Sequence, residues 1–278
     1  MSLTACYDLQ YCPPTYDAIG FLLTAEQARI DGGHKDIDIR ILPGPRDGFR
    51  RDKLPPFTAA ERRQMRDGIV VPMTGLLPSV KSVMVCQGRD KPNGPSIGYG
   101  TRLYGTGVFA SAFARGLFPL KCAPAVRERH YATITLREAT YWPTRNSRLP
   151  EWLSVASWLE EHGIDPVIIR DTAKADEELP FETSPLASKD LSARAAFYAG
   201  AVLNLFVNNG PAWMAMAMNV PVLICKLIAP GAPCTGAEFF RKSGMEPGQQ
   251  MRGCGPHQRL LWTDDDAGAV IEAARTML

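Results

Sequence analysis

The chain has 278 residues, 45% of them hydrophobic and 22% charged, which is ordinary globular composition and excludes long disorder or a fibrous repeat. The length suits two α/β halves or one large α/β unit. The formal net charge of +2 hides an asymmetry, with 16 Lys and Arg against 11 Asp and Glu in residues 1–126 and 15 against 18 in residues 127–278; no nucleic-acid partner is expected from so balanced a chain.

The first half alternates strand-like and helix-like segments. Residues 6–11 form a short apolar run that ends at Pro13-Pro14. Residues 15–29 carry Ile19, Leu22, Leu23 and Ala25 at helical spacing, and Gly32-Gly33 closes them. Residues 36–42 place Ile37, Ile39 and Ile41 at period two, a strand signal, and Pro43-Gly44-Pro45 ends it. Thr58 followed by Glu61 reads as a capping box that opens a helix over 59–66. A third short strand is expected over 81–86 and a loop over 87–100. Much of the basic excess lies between Arg40 and Arg66, including Arg46, Arg50, Arg51, Lys53, Arg62 and Arg63. Such a run is ordinarily a solvated face; the other reading is contact with an anionic acceptor or, peripherally, a membrane surface.

The second half repeats the alternation. A β-branched run over 130–136 precedes a helix over 150–162, with Trp152, Leu153, Ala156 and Leu159 on one face, and a strand over 165–170 follows. This is a βαβ unit. Further helices are expected over 190–199 and 212–218, with strands over 202–207 and 220–225, which calls for a parallel sheet. A short strand near 260–262 leads into a last helix, with Asp264, Asp265 and Asp266 suited to its N-terminus. The charged cluster Arg127-Glu128-Arg129, preceded by Pro119 and Pro124, places a boundary between a domain over 1–125 and another over 126–278.

Seven cysteines occur without a C-x-x-C pair, so reduced thiols are expected rather than a zinc ribbon or disulfide framework. Cys254 and His257 have ligand-like spacing but do not fill a tetrahedral site, and no metal is expected. The N-terminus lacks a signal-peptide pattern, and the apolar stretch 212–228 is interrupted by Asn219, Pro221 and Lys226; a cytoplasmic location is the expectation. Gly105, Gly107 and Ala110 fit a relaxed dinucleotide fingerprint, but neither a leading strand nor a following acidic strand end accompanies them. No G-x-S-x-G elbow or Walker A sequence occurs.

The chemistry concentrates at Asn208-Asn209-Gly210-Pro211. An apolar strand runs into this turn, Pro211 is expected at the first helical position, and the N–H groups of the helix start form an anion site at a parallel strand's carboxyl end. A purely structural strand-turn-helix is the equal alternative. Arg137, Arg145 and Arg148 follow the strand over 130–136 within twelve residues, and guanidinium forks suit phosphate oxygens.

The run 197–224, together with TITLREATYWPTRNSR at 133–148, resembles the C-terminal half of GT-B glycosyltransferases, especially the heptosyltransferase-like group. The resemblance covers roughly 130–278, and the first half matches only in its βα order. The family's usual acidic residue and Ser before Gly-Pro are Asn208 and Asn209 here. The resemblance implies an α/β fold of two Rossmann-like domains with a cleft between them. It also implies metal-independent transfer from a nucleotide-sugar donor, which is a substrate, so that no cofactor is required, to an acceptor that the sequence does not identify. Arg137, Arg145, Arg148, Asn208, Asn209, Gly210 and Pro211 would line the donor diphosphate. Asp17, at the start of the helix after the first strand, would be the base of an inverting transfer; the alternative is that Thr15 and Asp17 cap that helix. A sugar-nucleotide epimerase of the same fold, or a non-catalytic nucleotide-binding or assembly protein, are the rival readings.

Overall fold

A computed structural model describes residues 1–51, 57–103, 105–232 and 235–278, with Thr106 described by its backbone only. Asp52 and Lys53 of the basic run, and Cys234, lie outside the described residues. The chain divides into two compact units, Met1–Lys121 and Cys122–Leu278.

The first unit contains β1 (Leu3–Asp8), α1 (Ala18–Asp31), β2 (Ile37–Leu42), α2 (Ala59–Met65), α3 (Val71–Thr74), β3 (Val80–Val85), β4 (Ser96–Ile97) and α4 (Thr106–Ala114). Its parallel sheet has the order β3-β2-β1-β4. The alternation in β2 is decisive: Ile37, Ile39 and Ile41 are buried while Asp38 and Arg40 are half-buried. The capping box forms as expected, with Thr58 Oγ1 accepting from Glu61 N and the Glu61 carboxylate accepting from Thr58 N. A one-turn π-helical stretch, Arg66–Val70, then joins α2 to α3. Two expectations shift. The first strand starts earlier and ends at Asp8, because the Asp8 carbonyl accepts from Tyr11 N and Cys12 N and turns the chain. The expected loop 87–100 contains β4, whose two residues pair with Thr4 and Ala5 and are too few to leave a periodic signal.

The second unit contains β5 (Tyr131–Thr135), α5 (Leu149–Glu161), β6 (Asp165–Ile169), α6 (Pro185–Lys189), α7 (Leu191–Gly200), β7 (Leu203–Val207), α8 (Gly210–Ala217), β8 (Val222–Cys225), α9 (Ala237–Lys242), β9 (Gln258–Leu260) and α10 (Ala267–Arg275). Its five-stranded sheet is parallel throughout, in the order β6-β5-β7-β8-β9. Strands β5, β7 and β8 are buried along their whole length, which is why they read as unbroken apolar runs. Ile134, Leu205 and Leu223 form one core with Trp152, Val155 and Leu159 of α5 and with Val270 and Ala274 of α10. Asn204, the one amide inside β7, is satisfied: its oxygen accepts from Thr133 Oγ1 at 2.6 Å and its nitrogen donates to the carbonyls of Tyr198 and Pro221, both at 3.0 Å.

Cys6, Cys12, Cys86, Cys122, Cys225 and Cys254 are free thiols. No helix among the described residues is long and apolar enough to cross a membrane.

Candidate functional site

The order of the second sheet defines a place before any side chain is considered. From β5 the chain moves outward to β6, then returns to the other side of β5 for β7, β8 and β9. The loops after β5 and β7 therefore diverge, and in open parallel sheets such a switch point is where ligands bind.

Both loops carry residues singled out in the sequence. The loop after β7 is Asn208-Asn209, and α8 begins at Gly210, so Pro211 is the second helical residue and not the first. Pro211 has no N–H, and the N–H of Ala212 is taken by Asn209 Oδ1 at 3.0 Å. Among the first three helical positions this leaves the N–H of Gly210, backed by the helix dipole. Asn208 is buried: its Oδ1 accepts from Trp213 Nε1 at 3.1 Å and its Nδ2 donates to Leu227 O at 3.2 Å. Those bonds hold the turn in shape. Contact with an anion then falls to the backbone rather than to the two asparagine amides.

The three arginines after β5 have different placements. Arg137 is buried, donates to the carbonyls of Trp142 (3.1 Å) and Tyr141 (2.8 Å) and to Asn146 Oδ1, and lies over the Tyr141 ring. Its guanidinium thus ties the loop into a compact bend. Arg145 reaches across the switch point, where its Nη2 donates to Asn208 O at 3.0 Å and its guanidinium lies 5.9 Å from the Trp142 ring centre. Arg148 precedes α5 and is exposed. Its backbone N–H and its Nε donate to Asp265, at 2.6 and 3.1 Å.

Asp265 and Lys226, which the sequence reading did not single out as a pair, meet beside Arg148. Of the three carboxylates before α10, only Asp266 caps the helix, accepting from Ala269 N at 3.0 Å. Asp265 turns inward and is fully buried, accepting from Arg148, from Trp152 Nε1 at 3.1 Å and from Lys226 Nζ at 2.9 Å. Burial pushes its carboxyl up, but the Arg148 N–H and the Lys226 ammonium outweigh burial and hold it below the usual carboxylate range. Lys226 also donates to Asn146 O at 2.8 Å, so one ammonium joins the ends of β8 and β9 to the loop after β5. The signal for Lys226 was a lone cation directly after an apolar strand. Its backbone is left-handed (φ 52°), as is that of Trp142 (φ 49°), and bulky residues hold that conformation only where their surroundings impose it.

Hydrogen bonds thus tie the loop after β5 to the start of the α8 turn through Arg145, and to the Lys226–Asp265 pair through Arg148 and Asn146. Arg145 beside the Gly210 N–H is the part of this arrangement that can hold an anion.

In the first unit, Asp17 stands directly before α1, where its side chain makes no capping bond to the helix. Instead its carboxylate accepts from Thr15 Oγ1 at 2.6 Å.

No protein-family model matches the sequence, and no curated protein matches it. Solved structures do. The chain superposes over its full length on the full length of the E. coli heptosyltransferase WaaC with ADP, at 14% identity and a TM-score of 0.50. It matches a family 9 glycosyl transferase from Veillonella parvula at 12% identity and a TM-score of 0.51, covering 99% of this chain and 96% of that one. The chain therefore has a heptosyltransferase-like glycosyltransferase fold, with two parallel α/β sheets.

Proposed function

We propose that the chain is a glycosyltransferase of GT-B organisation, with Rossmann-like domains over residues 1–125 and 126–278, that takes a nucleotide sugar as donor. The observation that carries this reading is the bridging of the β5/β7 switch point by Arg145 and Asn208 beside the Gly210 N–H. The nucleotide named with WaaC, ADP, supports a nucleoside diphosphate as the moiety held there.

In this reading the diphosphate lies on the Gly210 N–H and the α8 dipole, with Arg145 as its side-chain partner and Arg148 at the outer edge. Asn208, Asn209 and Pro211 shape the turn. Arg137 positions the loop that carries Arg145. Charge developing on the departing diphosphate is stabilised by these donors. Asp17 takes the acceptor hydroxyl's proton, and the Thr15 hydroxyl orients its carboxylate.

A thermal-shift panel of nucleotide sugars with the full chain tests the reading. A donor-selective rise in melting temperature, followed by hydrolysis or transfer of that donor's sugar, is the expected result. A flat response across the panel contradicts donor binding, and a shift without any turnover supports a nucleotide-binding protein that does not transfer.

A further inference from the structure

The loop after β5 is braced from inside and reaches across the sheet. Its neck is closed by Arg137 and Ser147: Arg137 N donates to Ser147 Oγ and Ser147 N to Arg137 O, both at 2.9 Å. Within the loop, Arg145 N donates to Trp142 O at 3.0 Å and Asn146 N to Pro143 O at 2.9 Å. The Asn146 side-chain amide donates to Ala139 O at 2.9 Å, and the Arg137 guanidinium holds the carbonyls of Tyr141 and Trp142. A loop whose ends meet and whose own side chains pack it is an Ω-loop, a form that frequently carries function. Trp142 stands in the left-handed region (φ 49°), which is costly for so bulky a residue, so these bonds impose the bend against the chain's own preference.

The base of the loop and its far end are held differently. At the base, Glu138 N donates to Asp171 Oδ2 at 2.5 Å and Arg148 N to the buried Asp265 at 2.6 Å. Lys226 Nζ donates to Asn146 O beside the neck, at 2.8 Å. These are charge-assisted bonds, the stronger kind. At the far end, the exposed Thr144 donates from Oγ1 to Pro230 O at 2.8 Å, a neutral bond. Pro230 follows β8, and the sheet order is β5-β7-β8. A loop that leaves β5 and is fastened beyond β8 must pass over the end of β7, where α8 begins. Arg145, the next residue after Thr144, bonds Asn208 O at that crossing.

We propose that residues 139–145 form a lid over the start of α8, closed in this structure and latched by Thr144, and that a ligand reaches or leaves the α8 turn only when the lid lifts. Because Arg145 is carried on the lid, closing the site and bringing its guanidinium to the ligand are one event. Naming that ligand a nucleoside diphosphate rests on the donor reading above; the lid itself does not.

Stopped-flow binding of ADP to the full chain, followed by tryptophan fluorescence in wild type, Thr144→Val and Thr144→Ser, tests the proposal. A gate scales entry and exit alike, since both pass through the open form. Thr144→Val is therefore expected to raise the association and dissociation rate constants together by roughly two- to tenfold, the range for one neutral hydrogen bond, with Kd unchanged. Thr144→Ser keeps the hydroxyl and should keep the wild-type rates. Unchanged rates in Thr144→Val overturn the lid, as does faster dissociation alone with a weaker Kd, which is the mark of a residue that only positions Arg145. Amide hydrogen exchange on the ligand-free proteins supplies an independent arm. The amides of Arg145, Asn146 and Ser147 are bonded inside the loop and should stay equally protected in wild type and Thr144→Val, because the lid moves as a body. Exchange of these amides at unfolded-chain rates in either protein overturns it. If ADP does not bind the wild type, the donor reading falls, and inorganic pyrophosphate replaces ADP in the same rate measurement; failure of both ligands to bind overturns the lid as a gate to an anion site.

Discussion

The ammonium of Lys226 stands 2.9 Å from Oδ1 of Asp265, at a position where the lysine is 9% exposed and the carboxylate is fully buried. The same carboxylate holds the start of α5 through Arg148 N and the Trp152 indole, so this one pair joins three carboxyl ends of the sheet. In the proposed function it frames the diphosphate site more than it contacts the ligand.

Lys226→Met would take the ammonium from the buried Asp265 and leave the exposed Arg148 as its remaining counter-charge, so the expected loss is about 3 kcal/mol, the lower end for breaking a buried pair, read as a fall in melting temperature and denaturant midpoint. The pH dependence has a definite sign. The folded carboxyl of Asp265 is held below its ordinary value, so its contribution is present at neutral pH and is lost as pH falls through the carboxylate range to the depressed folded value. Asp265→Asn should therefore flatten the acid limb of melting temperature against pH. An acid limb identical to wild type would show that other carboxylates govern it.

Arg137 and Arg145 should separate cleanly. Arg145→Ala is expected to weaken ADP binding by about 1.5–3 kcal/mol, or ten- to a hundredfold, while leaving the melting curve close to wild type. Arg137→Ala removes the donors that hold the carbonyls of Tyr141 and Trp142, so its first effect should be a lower melting temperature, with weaker binding as a consequence. Equal loss of ADP affinity in both, with no change in stability, would make Arg137 a direct ligand contact.

These contrasts mark where the sequence was legible. Period-two Ile37, Ile39 and Ile41, the Thr58/Glu61 box and the apolar face of α5 act through neighbours a few residues away, and each appears in the structure as expected. Proximity in sequence also located the switch-point loops. It did not give the division of labour among the arginines, because whether a guanidinium faces loop carbonyls or an open crevice depends on how 137–148 folds back. Asp265 was hidden for the same reason. In a run of three aspartates all look like helix caps, and the partners that select the middle one lie 39 and 117 positions away.

Asp17 provides a sharper test of chemistry. Asp17→Asn keeps the size of the side chain and an acceptor for the Thr15 hydroxyl, and removes basicity. Turnover is expected to fall on the order of 10²–10⁴-fold with ADP binding and stability preserved. Near-normal turnover in the folded variant would assign proton transfer to another group.

The central claim is that a nucleoside diphosphate rests on the backbone at the start of α8. Calorimetric titration of ADP into the wild-type chain and into Gly210→Val measures it most directly, since a branched side chain at this position crowds the one N–H that the first turn offers. The account predicts saturable binding to the wild type and none to the variant, with both melting cooperatively. Equal affinity in the two proteins, or no binding to the wild type, would contradict it.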